Sequence, residues 1–119
     1  MFPTRIHVAK KTWDKLQYLQ TKTRLTPNVT ARIAIAMAIR DTRSAFINES
    51  KPEQAHVINR DVLFGEHEKA YEALIRQFCA EQNIQCDIQD VIRSLIDSGL
   101  HKLGHVKKLS DLKTTFQQV

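Results

Sequence analysis

The sequence predicts a mainly α-helical protein, with a strand and two helices in its N-terminal half and a second helical hairpin after them. Apolar residues recur at spacings of three and four over most of the chain, which is the period of a helix. Only three Gly and three Pro occur in 119 residues, which disfavours an all-β sandwich. The length and the hydrophobic content of 42% predict one small domain over residues 1–119.

A strand, helix and helix unit is predicted over residues 1–47. Arg5–Val8 alternates polar and apolar residues, which favours a small strand or an extended arm. A helix from about Lys10 to Arg24 follows, because the apolar spacing changes to three and four. Its apolar face is formed by Trp13, Leu16, Leu19 and Thr23.

The second helix is predicted from about Pro27 to Phe46, with Thr26 as its cap and Pro27 at its first position. Apart from Arg32 and Arg40, it is apolar nearly all round, and such a helix must be buried on most sides. We therefore expect a subunit interface on it. The two arginines are expected to pair with acids or to line that interface.

The C-terminal half is predicted to begin with a connecting loop over residues 48–60, which are polar and contain a Pro. Residues 61–119 are predicted to form the second helical hairpin and a tail. The expected elements are a short extended piece over Asp61–Gly65, a helix from about Glu66 to Asn83, a helix capped by Asp87 and running to about Lys102, a stop at Gly104, and a short helix from Ser110.

The two halves also match in hydrophobicity at an offset of 59 residues. Each would then be a helix, a short turn and a helix. Two amphipathic hairpins also align in this way by chance, so duplication and coincidence both remain open. The matched pairs are Leu16 and Ile75, Leu19 and Phe78, Leu25 and Ile84, Val29 and Ile88, Ile33 and Ile92, and Met37 and Ile96.

Basic residues are concentrated in the first half of the chain. Residues 1–60 hold eleven Lys or Arg and four Asp or Glu, whereas the remainder holds seven and nine. This asymmetry indicates a surface for a polyanion, with nucleic acid ahead of membrane. No signal peptide and no apolar run of membrane-spanning length is present, so a cytoplasmic location without membrane contact is expected.

One face of the first helix gathers several of these basic residues. Lys11, Lys15, Tyr18 and Lys22 fall within about 60° on a helical wheel, beside the apolar face. Lysine is a flexible point charge that suits contact with DNA phosphates without reading sequence, and Tyr18 suits packing on a sugar or an exposed base. The residues that we assign to DNA contact are Arg5, Lys10, Lys11, Lys15, Tyr18, Lys22 and Arg24.

No pattern of residues indicates an enzyme. The chain has no Gly-rich phosphate loop and no nucleophile elbow, and its acids are scattered. His101 and His105 lie four apart, but no third zinc ligand stands out. Cys79 and Cys86 match no zinc or redox spacing and are expected to be small buried residues. We therefore expect no catalytic residue, no metal and no cofactor.

The order of strand, helix, turn and helix over Arg5–Arg40 resembles a ribbon-helix-helix unit. Dimers of that family pair their strands and often read the major groove from them. The resemblance implies a transcriptional regulator, such as an antitoxin, that binds a specific operator with Arg5 and His7 as outward strand residues. That family usually has a turn with Gly where this chain has Leu25–Asn28. A third alternative is an adaptor whose basic face meets an acidic protein.

A closer resemblance is to the DndE family of bacterial DNA sulfur-modification (phosphorothioation) systems. It rests on chain length, on Phe2–Val8 followed by the Leu/Lys helix, and on Leu25–Arg32, and it extends more weakly through Gly99-Leu100. The resemblance implies a small homo-oligomer, expected to be a tetramer, that binds double-stranded DNA, preferably nicked, through surface lysines. It also implies a role beside the enzymes that place sulfur in the DNA backbone, with other proteins of that system as partners.

Overall fold

The computed structural model describes residues 2–41, 47–52 and 54–103. These residues are mainly α-helical, which confirms the predicted fold class. In chain order the elements are β1 (Arg5–Ala9), α1 (Lys10–Thr23), α2 (Pro27–Asp41), β2 (Ala55–Asn59), α3 (Arg60–Phe64), a 3-10 turn (Gly65–His67), α4 (Glu68–Glu81) and α5 (Ile88–Lys102).

The predicted loop over residues 48–60 contains a strand, so this prediction was wrong in part. β2 pairs antiparallel with β1, and His7 lies opposite Val57 at the centre of the ladder. Only Ile58 of the five residues of β2 is buried, and the sequence therefore shows no clear alternation. Because β2 belongs to the same chain, β1 finds its partner without the second subunit that a ribbon-helix-helix dimer requires.

The segment Asp61–Gly65 was predicted to be extended, but most of it lies in α3. The Asn59 side chain accepts a hydrogen bond from the Asp61 amide and caps this short helix. Gly65 then takes a φ of +55°, a backbone conformation that favours glycine, and ends it. The predicted helix from Glu66 to Asn83 accordingly begins as a 3-10 turn and becomes α-helical only at Glu68.

The other predicted helices have boundaries close to the observed ones. α1 ends at Thr23, with Arg24 as its left-handed cap residue, and α5 is capped by Asp87, whose side chain accepts from the Gln89 amide. α2 is helical to Asp41. The predictions that fall on residues 42–46, on the stop at Gly104 and on the helix from Ser110 lie outside the described residues.

The apolar character of α2 is explained by packing within the chain. α2 lies between α1, α3 and α5, and its most extensive contact is with α5. Packing within the chain therefore covers much of α2, and the subunit interface expected on this helix stays a prediction. No helix in the described ranges has the length and apolar content needed to cross a membrane. The residues of α2 that are fully buried are Thr30, Ala31, Ala34, Ile35, Met37 and Ala38.

The contact between α2 and α5 is closest at Gly99. A Cβ atom added to Gly99 would overlap the backbone carbonyl group of Ala34. The small side chains of Ala34 and Ala38 on α2 also allow the two helices to approach. The absence of a side chain at Gly99 is therefore required for this crossing.

A buried arginine fastens the segment 47–52 to α5. Arg93 is only 4% exposed. Its guanidinium donates to the carbonyl oxygens of Asn48 (2.7 Å) and Ser50 (3.0 Å) and to the carboxylate of Asp90 (2.8 Å). These partners satisfy a buried charge that would otherwise be costly.

The described residues contain the same succession twice: a strand, a helical segment and a second helix. β1 pairs with β2, with His7 opposite Val57 at the centre of each strand. The second helices of the two units, α2 and α5, pack on each other. The two non-glycine residues with positive φ, Arg24 and Asn83, are 59 positions apart and follow corresponding helices. The offset of 59 seen in the sequence thus matches α1 with α4 and α2 with α5, whereas the two strands lie 50 positions apart. Three of its matched pairs are buried on both sides: Leu16 and Ile75, Leu19 and Phe78, and Met37 and Ile96.

We predict that Gly99→Ala lowers the free energy of unfolding by about 3 kcal/mol, the upper part of the usual range for overpacking, because the obstructing atoms are backbone. Urea denaturation measures this difference. The control is Ser98→Ala, which adds no volume at the neighbouring position and should change stability by less than about 0.5 kcal/mol. Equal stability of Gly99→Ala and the wild type would contradict the observed crossing.

Candidate nucleic-acid interface

The exposed face of α1 carries the side chains that the sequence singled out. Lys11, Lys15, Tyr18 and Lys22 are all exposed, and we call them the basic face. They follow one another at intervals of four, three and four, so they share one side of the helix, about 16 Å long. The adjacent side packs inward through Thr12, Leu16, Leu19 and Thr23.

The three lysines of the basic face have no carboxylate within 4 Å among the described residues. The ammonium of Lys22 lies 5.5 Å from the centre of the Tyr18 ring, which is within cation–π range. Tyr18 is 60% exposed, which is unusual for a large aromatic side chain. Cations without ion pairs, beside an exposed ring, form a surface that suits phosphates and sugars.

The remaining predicted contact residues are exposed but lie in different settings. Lys10 pairs with Asp14 at 3.1 Å, and this partner weakens its attraction for an outside anion. Arg24 occupies the left-handed position after α1, at the far end from Lys10. Arg5 lies on β1 and not on α1. The structure therefore gathers Lys11, Lys15, Tyr18 and Lys22 on one face and leaves the others at its ends or outside it.

A groove between α1 and α5 adjoins the basic face. It has a volume of about 300 Å³ and is lined by Ala9, Lys11, Thr12, Lys15, Asp97, Leu100 and His101. The Thr12 hydroxyl donates to the Asp97 carboxylate at 2.7 Å and links the two helices. Asp97 and His101 are four residues apart and so share one side of α5. The sequence had suggested His101 only as a weak zinc candidate, and it gave no sign that Asp97 lies near α1.

The carboxyl group of Asp97 is unusual in this groove. The side chain as a whole remains exposed, but the carboxyl lies against protein, and this desolvation raises the pKa of Asp97 above its ordinary value of 3.8. The hydrogen bond from Thr12 and the charges of Arg93 and Lys15 act in the opposite direction without cancelling the effect. Ionisation of Asp97 therefore costs folding free energy.

The outward face of the β ribbon is much less basic. Arg5 is exposed there, while His7 is half-buried and lines a cavity with the acids Glu49, Asp87 and Asp90 and the cations Lys51 and Arg93, of which Arg93 is already paired with Asp90. The Gln89 side chain bonds the outer edge of β1, donating to the Arg5 carbonyl (2.8 Å) and accepting from the His7 amide (2.9 Å). Carboxylates beside His7 make this face a poor match for DNA.

The two arginines of α2 have local partners. Arg32 donates to the Leu63 carbonyl oxygen at 3.2 Å, and Arg40 pairs with Asp41 at 2.9 Å. The expectation of an acid partner is thus confirmed for Arg40. Arg32 bonds a backbone carbonyl instead, and neither arginine belongs to the basic face.

The second unit does not repeat the basic face. At the offset of 59, Lys11, Lys15, Tyr18 and Lys22 correspond to Ala70, Leu74, Gln77 and Glu81 of α4. All four α4 residues are exposed, and Leu74 is 40% exposed. One architecture therefore presents a cationic helix face in its first unit and, in its second, a face without cations that carries Ala70 and Leu74 followed by Gln77 and Glu81.

The sequence profile of a family described as "DNA sulphur modification protein DndE" matches residues 5–111. This chain belongs to the DndE family. Family membership implies involvement in DNA phosphorothioation, in which DndE is an accessory protein, and it suggests DNA and other proteins of the Dnd system as partners. No curated protein matches the sequence.

Solved structures of DndE have a similar fold. One is the crystal structure of DndE from Escherichia coli B7A, which is involved in DNA phosphorothioation modification. Its TM-score is 0.70 at 22% identity, with 87% of this chain and 98% of that chain covered. Another is a DndE mutant with two glycines replaced by lysine, with a TM-score of 0.63 at 22% identity, covering 85% of this chain and 99% of that one. The mainly α-helical architecture is therefore shared with these DndE proteins.

We predict that the stability of Asp97→Asn relative to the wild type depends on pH. The raised pKa means that folded Asp97 holds its proton more tightly than the unfolded chain does, so its favourable contribution is complete in acid and is lost as pH rises through the folded pKa. The free energy of unfolding of Asp97→Asn, minus that of the wild type, should therefore be larger at about pH 7 than at about pH 4. Urea denaturation at both pH values measures this gain, and an unchanged difference would contradict it.

Proposed function

We propose that this DndE protein binds the backbone of double-stranded DNA through the basic face of α1, without reading base sequence, and so supports the enzymes of phosphorothioation. The observation that carries the proposal is the basic face itself: three exposed lysines lie on the same side of α1 as Tyr18, and none of them forms an ion pair with a described residue. Arg5, Lys10 and Arg24 are proposed as peripheral contacts. Backbone contacts fix a protein on a duplex but carry no sequence information, which suits an accessory role in modifying DNA.

The proposal includes a location in the cytoplasm and a role without catalysis. The chemistry of the side chains supports a role without catalysis. Burial raises the pKa of the Cys79 thiol, and a hydrogen bond with Glu49 raises that of Cys86, so both thiols are poor nucleophiles. Across the described residues, no three His, Cys, Asp or Glu side chains gather where they could hold a metal ion.

Operator reading, as by a ribbon-helix-helix regulator, remains the alternative function, but the charges favour the basic face of α1. The ribbon's outward surface offers Arg5, Lys51 and a half-buried His7 beside three carboxylates. Such a surface holds few donors for base edges. A strong preference for one palindromic sequence would nevertheless establish the alternative and refute our proposal.

We predict that Lys15→Glu and Lys22→Glu each weaken binding to a labelled duplex of arbitrary sequence by at least about tenfold at low salt, because each places a negative charge against the phosphates. Fluorescence anisotropy measures the affinity. The matched control is Lys69→Glu on α4, which makes the same charge change away from α1 and should have a much smaller effect.

The salt dependence and the choice of DNA complete this test. Wild-type affinity should fall with a log–log slope of about −0.9 for each phosphate contacted, giving about −3 for the three lysines of one subunit. A nicked duplex should bind at least as tightly as an intact one, since a nick lets the strand bend along the helix. Absence of salt-sensitive DNA binding would contradict the proposal and favour an acidic protein partner.

Self-association is also proposed, and its support differs from the expectation drawn from α2. Leu74, with Ala70 and Ala73 beside it, leaves an apolar strip exposed on α4, and burial of such a strip favours assembly. An assembly would present several basic faces to one DNA molecule, which raises affinity through multivalency.

We predict a mass in solution of four times the 13.7 kDa chain, measured by light scattering. Leu74→Glu should lower that mass, because it places a charge on the apolar strip. Val62→Glu is the matched control, since Val62 is another exposed apolar residue but lies on α3. A monomeric wild type would contradict the assembly, and dissociation caused only by Val62→Glu would place the interface elsewhere.

A further inference from the structure

The groove between α1 and α5 is a partly open extension of the basic face. Lys11 and Lys15 belong to both features, while His101 and Asp97 are contributed by α5. Three nitrogen-bearing side chains and one carboxylate thus line a space of about 300 Å³. A concave site with nitrogen atoms on two elements can contact an anion from several sides, which a flat helix face cannot do.

The position of Asp97 is fixed by its neighbours. Thr12 on α1 holds the carboxylate by a 2.7 Å hydrogen bond. The charges that act on it come from Lys15 on α1 and from Arg93 on α5. Arg93 is itself engaged by Asp90 and by two carbonyl oxygens of the segment 47–52, so Lys15 is the more available cation. The carboxylate of Asp97 therefore partly neutralises the positive charge of Lys15, which would otherwise attract an incoming anion.

We propose that this groove binds one phosphate group of the DNA backbone between Lys11, Lys15 and His101, and that Asp97 limits the affinity by competing for the same cations. The inference rests on the proposed function, because it names where that function places a phosphate. Asp97 is a tuning residue in this scheme. Its carboxylate repels the phosphate and keeps binding weak enough for the DNA to be released.

The second unit supports this reading by contrast. The α4 positions that correspond to Lys11 and Lys15 carry Ala70 and Leu74, so the equivalent side of the second unit lacks both lysines. Lys11, Lys15 and Asp97 therefore occur together beside α1, where we propose that DNA binds.

The first experiment measures duplex affinity by anisotropy for the wild type, Asp97→Asn and His101→Gln. Asp97→Asn should bind about fivefold more tightly at low salt, as expected for removal of one partly exposed like charge. Asn retains the oxygen that accepts from Thr12, so the link between the helices is preserved. His101→Gln should bind more weakly than the wild type, because it replaces one of the side chains that line the groove.

The control for Asp97→Asn is Glu81→Gln, which removes the same charge from the exposed end of α4. Measured beside Asp97→Asn at about 0.1 M salt, where the Debye length is about 10 Å, it should change the affinity by less than about twofold. Equal effects of Asp97→Asn and Glu81→Gln would overturn the inference. If Lys22→Glu, which lies outside the groove lining, still weakened binding by at least about tenfold in that case, the proposed function would stand without the groove.

The second experiment titrates the wild type with inorganic phosphate and follows amide signals by NMR. The signals of Thr12 and His101 should move together and saturate, and those of α4 should not. Lys15→Gln should abolish the saturation. Absence of these shifts would overturn the groove as a phosphate site. Their presence in a protein that failed to bind duplex DNA would refute the proposed function while upholding the site.

Discussion

The close crossing of α2 and α5 is the constraint on which the rest of the structure depends. Gly99 allows the two backbones to touch at Ala34, and this contact joins the second helix of one unit to that of the other. The crossing also fixes α5 in place. Asp97 and His101 lie two residues to either side of Gly99, so they point away from α2 and into the groove beside α1. The close packing that Gly99 allows on one face of α5 therefore positions Asp97 and His101 on the opposite face.

In the repeated architecture, the inward-facing residues form the core and the outward-facing residues differ between the two units. In both units the inward positions remain apolar, as Leu16 and Ile75 or Met37 and Ile96 illustrate, because both contribute to one shared core. The outward positions are under no such constraint, and there α1 carries lysines while α4 carries Ala70 and Leu74. The proposed DNA contact and the proposed self-association therefore use different helices of the same core.

The sequence predicted the elements that carry strong local signals. The period of α1, the cap at Asp87 and the charge asymmetry were sufficient for two helices and for the basic face. β2 was missed because its single buried residue, Ile58, gives no alternation, and its pairing with β1 is a contact across 50 residues. The groove was missed for a similar reason. Thr12 and Asp97 are 85 positions apart, and only the packing of α5 brings them within 2.7 Å of each other.

The chemistry of phosphorothioation agrees with a surface built from lysines. Replacement of a non-bridging oxygen by sulfur leaves the negative charge of the phosphate in place, whereas it changes the hydrogen-bonding capacity of that atom. A flexible ammonium group interacts chiefly with charge, unlike the fixed fork of an arginine. Lys11, Lys15 and Lys22 would therefore hold the backbone before and after modification. The carboxylate of Asp97 then has a clear physical use, because a protein that must leave its product needs its affinity restrained by something other than recognition of the sulfur.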